Sequence, residues 1–166
     1  MKKYIMEETV VINFKIDDGV FNFRVAGLLF YKNKVLVHRL INENFYAFPG
    51  GRVEMFESTD NTIIREMNEE LGINIKVNRL LWICEHFFNH NNNKYHEICF
   101  YYLIECNNDS FFNKGDLFYI TEGNNEFEFR WIDVEDIQNE IVYPIFIKNN
   151  ILNLPNTVEK VIDIDE

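Results

Sequence analysis

Glu66, Glu69 and Glu70 stand at i, i+3 and i+4 in a segment whose apolar residues recur with helical period. Advancing about 100° per residue from Ile63 puts Ile63, Met67, Leu71 and Ile64 at roughly 0°, 40°, 80° and 100°, one apolar stripe for a core. The three glutamates fall at roughly 240°, 300° and 340°, a separate arc. Carboxylates at these spacings repel one another. Such a face is either simply solvated or it gathers a cation.

A helix over 59–71 has the signals it needs at both ends. Ser58 suits the N-cap, Asp60 adds a carboxylate to the first turn, and Gly72 follows the last helical residue. Around it the chain is mostly β. Residues 9–16 are β-rich, and Asp17-Asp18-Gly19 supplies a turn. Phe21 to Tyr31 and Val35 to Arg39 form a hairpin about Lys32-Asn33-Lys34. Runs at 75–88 and 95–106 flank an Asn-rich loop and predict a second hairpin, and Glu128 to Ile132 predicts a closing strand. Short helices are expected from Asp133 to Ile137 and after Pro144. With no repeat and no linker, residues 1–166 are expected to form one mixed α+β domain.

The chain has 16 Lys plus Arg against 27 Asp plus Glu, a formal charge of −11. That balance argues against binding a DNA duplex, which needs a cationic face. No run of apolar residues has the length of a membrane span or a signal peptide. Cys84, Cys99 and Cys106 are odd in number and form no CxxC, so buried free thiols in a reducing cytoplasm are expected. His86 and His90 are four apart in a segment that reads as strand and loop, about 13 Å in an extended chain, which argues against a zinc pair. His96 and Glu97 open a strand beside Tyr95 and are candidates for lining a pocket, while Trp82 and Trp131 are expected in the core.

The acidic helix does not stand alone. Phe48-Pro49-Gly50-Gly51 is followed after five residues by Glu57, and after seven more by Arg65-Glu66-Met67-Asn68-Glu69-Glu70-Leu71-Gly72-Ile73. This matches the pattern GX5EX7REUXEEXGU, with U aliphatic, at every specified position over residues 51–73. In these residues the chain resembles the Nudix (MutT-like) hydrolase family. The hairpin before the motif and Phe129-Arg130-Trp131-Ile132-Asp133 after it are similar to that family's flanking strands. There are two departures: Phe56 stands where Gly is common, and Thr62-Ile63 where Ala is common. Both lie off the acidic face.

The resemblance implies an α/β/α sandwich with a mixed sheet and a catalytic loop-helix-loop. It also implies Mg²⁺-dependent hydrolysis of a nucleoside diphosphate linked to another moiety. Glu66, Glu69, Glu70 and the Gly50 carbonyl would be the metal ligands, Glu57 would buttress the loop, and Arg65 would hold a carboxylate in place. The general base would be Glu66 or a glutamate of a later loop, for which Glu122 and Glu126 are candidates. Arg24, Arg39 and Arg52 are candidate phosphate contacts, and Tyr46 a surface on which a base would stack. Phe48 fits core packing better. The rival expectations are a silent nucleotide-sensing module, or an enzyme acting on a non-nucleotide pyrophosphate or an RNA 5′ end. A sensor predicts loss of a metal carboxylate, and all three are present. A homodimer is compatible with the sequence. The charge then poses no obstacle, because a phosphoanhydride would arrive together with the cations that the acidic face recruits.

Overall fold

A computed structural model describes residues 10–165. Its strands are β1 (Asn13–Ile16), β2 (Gly19–Tyr31), β3 (Lys34–Leu40), β4 (Gly50–Arg52), β5 (Ile75–His90), β6 (Asn93–Cys106), β7 (Leu117–Glu122), β8 (Asn125–Asp133) and β9 (Glu159–Ile164). Its helices are α1 (Thr59–Leu71), α2 (Asp109–Phe112) and α3 (Ile145–Asn150), with a 3-10 turn over Ile137–Asn139. The sheet runs β7-β8-β3-β2-β6-β5-β9, with β1 and β4 paired to β2. It is mixed, since β2 lies parallel to β6 and β5 parallel to β9 while the other pairings are antiparallel.

Both sheet faces are covered, which gives the α/β/α arrangement. On one, Val25, Leu29, Tyr102 and Ile104 pack against Ile63, Met67 and Leu71 of α1. On the other, Ala26, Leu28, Trp82, Cys84 and Tyr101 meet Phe48, Val142, Ile147 and Ile151. Period-2 alternation along β2 and β6 feeds both cores from the same strands. Trp82 and Trp131 are buried as expected, as are the free thiols of Cys84 and Cys99, while Cys106 is half-buried. No helix among the described residues is long and apolar enough to cross a membrane.

Several boundaries differ from the sequence reading. Residues 10–12 precede β1 rather than belonging to it, and residue 9 lies outside the described residues. The Asn loop shrinks to Asn91-Asn92, both with positive φ (48° and 62°), a tight turn that Asn tolerates well. The expected helix at 133–137 is a turn leading into the 3-10 segment. Strands β4, β7 and β9 and helix α2 are absent from the sequence reading. β7 and β9 are edge strands, half or more exposed, so their apolar alternation is weak. Ile64, at the margin of the predicted stripe, is 39% exposed, and Thr62 is buried instead. The Thr62 hydroxyl is satisfied by the Glu57 carboxylate at 2.8 Å and the Ser58 carbonyl at 3.1 Å.

β2 and β3 separate soon after their turn. They pair only at Phe30 with Val35 and Tyr31 with Lys34. β3 then follows β8, whereas β2 takes β4 as its neighbour at Arg24–Ala26. Between α1 and the β7–β8 hairpin lies a cleft lined by Glu69, Glu70, Ile120, Thr121, Glu122, Phe127 and Phe129.

Candidate active site

α1 is fixed at both ends by its own sequence. The Ser58 side chain accepts from the Asn61 N–H at 3.3 Å, and Gly72 adopts the left-handed conformation (φ 66°) that ends the helix. Phe56 also has positive φ (67°) with its side chain in solvent, which accounts for the glycine common at this place in the resembling motif.

β4 brings the glycines against α1. A Cβ on Gly51 would lie 2.0 Å from the Glu66 carboxyl carbon, and one on Gly50 would lie 2.1 Å from the Val25 carbonyl oxygen. Both positions therefore require close backbone approach, one to a carboxylate and the other to the neighbouring strand.

Arg65 organises the acids. Its Nε and Nη2 donate to the two Glu57 oxygens at 2.9 and 3.0 Å. Nη1 donates to Glu66 at 2.9 Å and to Glu69 at 3.1 Å, and Nη2 also reaches the Arg52 carbonyl at 3.1 Å. The planar fork of guanidinium donors is what allows one side chain to serve three carboxylates. The Arg65 hydrogen bonds hold Glu57 below the usual carboxylate range, against the opposing effect of its burial.

Glu66 and Glu70 behave differently. Burial raises Glu66, with Arg65 opposing. Burial, joined by the charges of Glu66 and Glu122, pushes Glu70 up to about 8. The Glu70 Oε2 is sealed from solvent and has no hydrogen-bond partner among the described residues. An unsatisfied buried carboxylate oxygen facing other carboxylates fits a divalent cation, which would supply the missing positive charge.

The remaining expected residues separate into two groups. Arg24 is half-buried, and no hydrogen bond to its guanidinium is formed among the described residues; burial opposes its charge, but Glu97 and, further down, Glu70 sustain it. Arg52 is in register with Arg24 on β4 and exposed. Glu122 lines the cleft beside Glu70, whereas Glu126 lies across the β7–β8 turn, exposed and outside that lining. Arg39 and Tyr46 are engaged elsewhere. Arg39 forks onto both Glu128 oxygens at 3.0 and 3.2 Å. Tyr46 is 5% exposed, donates its hydroxyl to Glu128, and has the Arg39 guanidinium 4.8 Å over its ring. This corrects the expectation that Tyr46 offers an open stacking face.

Two residues that no motif flagged belong to this region. Glu128 is the buried anchor of Arg39 and Tyr46. His38 is buried with Nδ1 unpartnered among the described residues; burial and then the Arg24 charge press it down to about 3, so it is neutral. His38 interrupts an apolar run in β3, whereas Glu128 falls with Glu126 and Arg130 on the polar side of an alternating strand, so nothing local marked its burial. Near the Asn loop, His86 bonds Asp165 at 3.0 Å and His96 bonds Glu85 at 3.1 Å.

A mixed sheet between helices, with a glycine strand pressed on an acidic helix, defines the Nudix class of α+β domain. The family model described as NUDIX domain matches residues 21–149, and the chain belongs to that family. An ADP-ribose pyrophosphatase of Methanocaldococcus jannaschii is 37% identical over 62 residues, 36% of this chain and 37% of that protein. The match thus spans little more than a third of the curated relative. Among solved structures, a NUDIX hydrolase from Nitrosomonas europaea superposes with TM-score 0.60 at 16% identity, covering 87% of this chain and 79% of the other. An ADP-ribose pyrophosphatase from Streptococcus suis gives TM-score 0.56 at 12% identity, over 86% and 98%. At these identities the superpositions speak for the fold.

Proposed function

We propose that this chain hydrolyses the phosphoanhydride bond of a nucleoside diphosphate derivative with a divalent cation, Mg²⁺ or Mn²⁺, held by Glu66, Glu69, Glu70 and the Gly50 carbonyl. The observation that carries the reading is the buried, unpartnered Glu70 oxygen on an acidic face that retains all three glutamates. A silent sensor has no need of that set. The bound cation would neutralise the phosphate oxygens and acidify the attacking water.

The protein's own residues divide the remaining work. Arg65 holds Glu66 and Glu69 in place through charge-assisted hydrogen bonds and braces them on Glu57. Arg24, a guanidinium with unused donors, grips a phosphate, and Arg52 beside it on β4 takes a second. Glu122, across the cleft from Glu70, receives the proton of the water that attacks phosphorus; the anhydride P–O bond breaks and leaves two phosphate esters. The Methanocaldococcus relative makes ADP-ribose the first substrate to test.

The test is a panel of ADP-ribose, NADH, dinucleoside polyphosphates, nucleoside triphosphates and oxidised deoxynucleotides with Mg²⁺ or Mn²⁺, read as release of nucleoside monophosphate or phosphate. Turnover that needs the metal and is lost in Glu70→Gln is the expected result. Binding without turnover would favour the sensor, and full activity in Glu70→Gln would sink the metal role.

A further inference from the structure

β9 closes one edge of the sheet and pairs with β5 alone, in parallel, from Glu159 beside Trp82 to Ile164 beside Phe87. Asp165 lies one residue past β9, yet its N–H still bonds the Phe87 carbonyl at 2.9 Å and continues the strand. Alternation therefore puts Val161, Asp163 and Asp165 on one face, together with Cys84 and His86 of β5. Val161 and Cys84 belong to the core on the side away from α1, so this face looks away from the acidic helix.

Three metal-ligating atoms converge there. His86 Nε2 lies 3.0 Å from Asp165 Oδ2 and 3.8 Å from Asp163 Oδ2, and all three atoms are within 4.8 Å of one another. His86 is 7% exposed and packs on the Phe88 ring, with centroids 4.6 Å apart. Asp163 Oδ2 is sealed from solvent and has no hydrogen-bond partner among the described residues. A proton on Nε2 cannot satisfy this set. A single N–H points along one line, and at 3.0 Å it serves Asp165. Asp163, at 3.8 Å, keeps a buried and unused carboxylate oxygen, which is costly. A cation in place of that proton takes a lone pair from each of the three atoms at once.

The donor set selects the cation. Ligands about 2.0–2.2 Å from a tetrahedral ion stand about 3.4 Å apart. The separations of 3.0 and 3.8 Å straddle that value. An imidazole nitrogen beside two carboxylates suits Zn²⁺, whereas Mg²⁺ prefers oxygen ligands and water. His86 and Asp165 are 79 residues apart, so strand register assembles the set and no sequence spacing signals it.

We propose that His86, Asp163 and Asp165 form a Zn²⁺ site, separate from the acidic face of α1, that fastens β9 to β5. Three protein ligands leave one tetrahedral position for water. The site stands on the opposite side of the sheet from Glu66, Glu69 and Glu70 and is independent of the hydrolase reading.

The experiment titrates the chelator-stripped full chain with Zn²⁺ in saturating Mg²⁺ and reads the binding isotherm and Tm. The wild type should bind a Zn²⁺ equivalent that raises Tm. His86→Ala and Asp163→Asn should each weaken that equivalent about 10-fold or more and remove the rise in Tm, while Mg²⁺ affinity stays within about twofold. Glu70→Gln should retain it. The ¹⁵N shifts of the His86 ring should show Nε2 metallated and Nδ1 protonated once Zn²⁺ is added, a signature that a salt bridge does not give. If His86→Ala does not fold, Asp163→Asn, isosteric and on an edge strand, still decides. A wild type that binds no Zn²⁺, an isotherm unchanged in Asp163→Asn, or a His86 ring unaltered by Zn²⁺ overturns the proposal. Loss of all Zn²⁺ binding in Glu70→Gln would assign the ion to α1 and overturn it as well.

Discussion

The Cα of Gly51 faces the carboxylate of Glu66 so closely that a Cβ would stand 2.2 Å from either oxygen. A side chain at 51 and a metal-binding posture of Glu66 exclude each other. Gly51→Ala should fold, because the obstructed atoms are the tip of a movable side chain, and stability should stay within about 1 kcal/mol. Mg²⁺ affinity should fall about tenfold or more as Glu66 is pushed aside. Gly50→Ala meets backbone at the Val25 carbonyl instead, and should lose about 1–3 kcal/mol. Chemical denaturation should therefore rank Gly50→Ala as clearly the less stable of the two, while metal titration should find Gly51→Ala impaired although it is well folded.

Glu70 sets a pH signature. Its metal-free pKa is raised to about 8 by burial and then by Glu66 and Glu122. Between the ordinary carboxylate pKa of 4.5 and about 8, the folded state holds a proton that the unfolded chain has released. The stability this provides is full below 4.5 and is lost as pH rises through about 8. A divalent cation displaces the same proton. The rise in Tm on adding Mg²⁺ should accordingly be larger near pH 8.5 than near pH 6, and Glu70→Gln should flatten the difference in differential scanning calorimetry.

Arg65 should resist conservative replacement. Lysine cannot reproduce its fork onto Glu57, Glu66 and Glu69. Arg65→Lys and Arg65→Ala should each lower metal affinity about 10- to 100-fold. Arg65→Ala should also cost about 2 kcal/mol, less than a fully buried pair because the side chain is 22% exposed. Isothermal titration with Mn²⁺ alongside urea melts would read both effects.

The two loop glutamates should separate cleanly. Glu122→Gln, at the cleft beside Glu70, should reduce kcat about 100-fold or more, whereas Glu126→Gln, outside the lining, should stay within about twofold. Loss of activity in both variants alike would remove Glu122 as the proton acceptor.

Much of this was written in short stretches of chain. The capped helix, its apolar stripe and the acid set of Glu66, Glu69 and Glu70 depend on residues within a few positions of one another, and helical periodicity makes such spacing directly readable. The same holds for the hairpins, whose turns are marked by Asn, Asp and Lys. The margin of the stripe was not readable, since whether Ile64 or Thr62 is covered depends on the strands beneath α1 and on the Glu57 carboxylate that satisfies Thr62.

Everything that required two distant segments to meet was decided only in the tertiary structure. Sequence alternation says that a strand has two faces and not which strand lies beside it. The parallel register of β2 with β6 sets Arg24 beside Cys99, and the approach of α1 to the β7–β8 hairpin joins Glu122 to Glu70 across one cleft. Packing also engaged Arg39 and Tyr46 with Glu128. The residue types and their local spacing determined what chemistry the chain carries. Burial and strand register determined which charges share a space, and with it the upward shift of the Glu70 carboxyl.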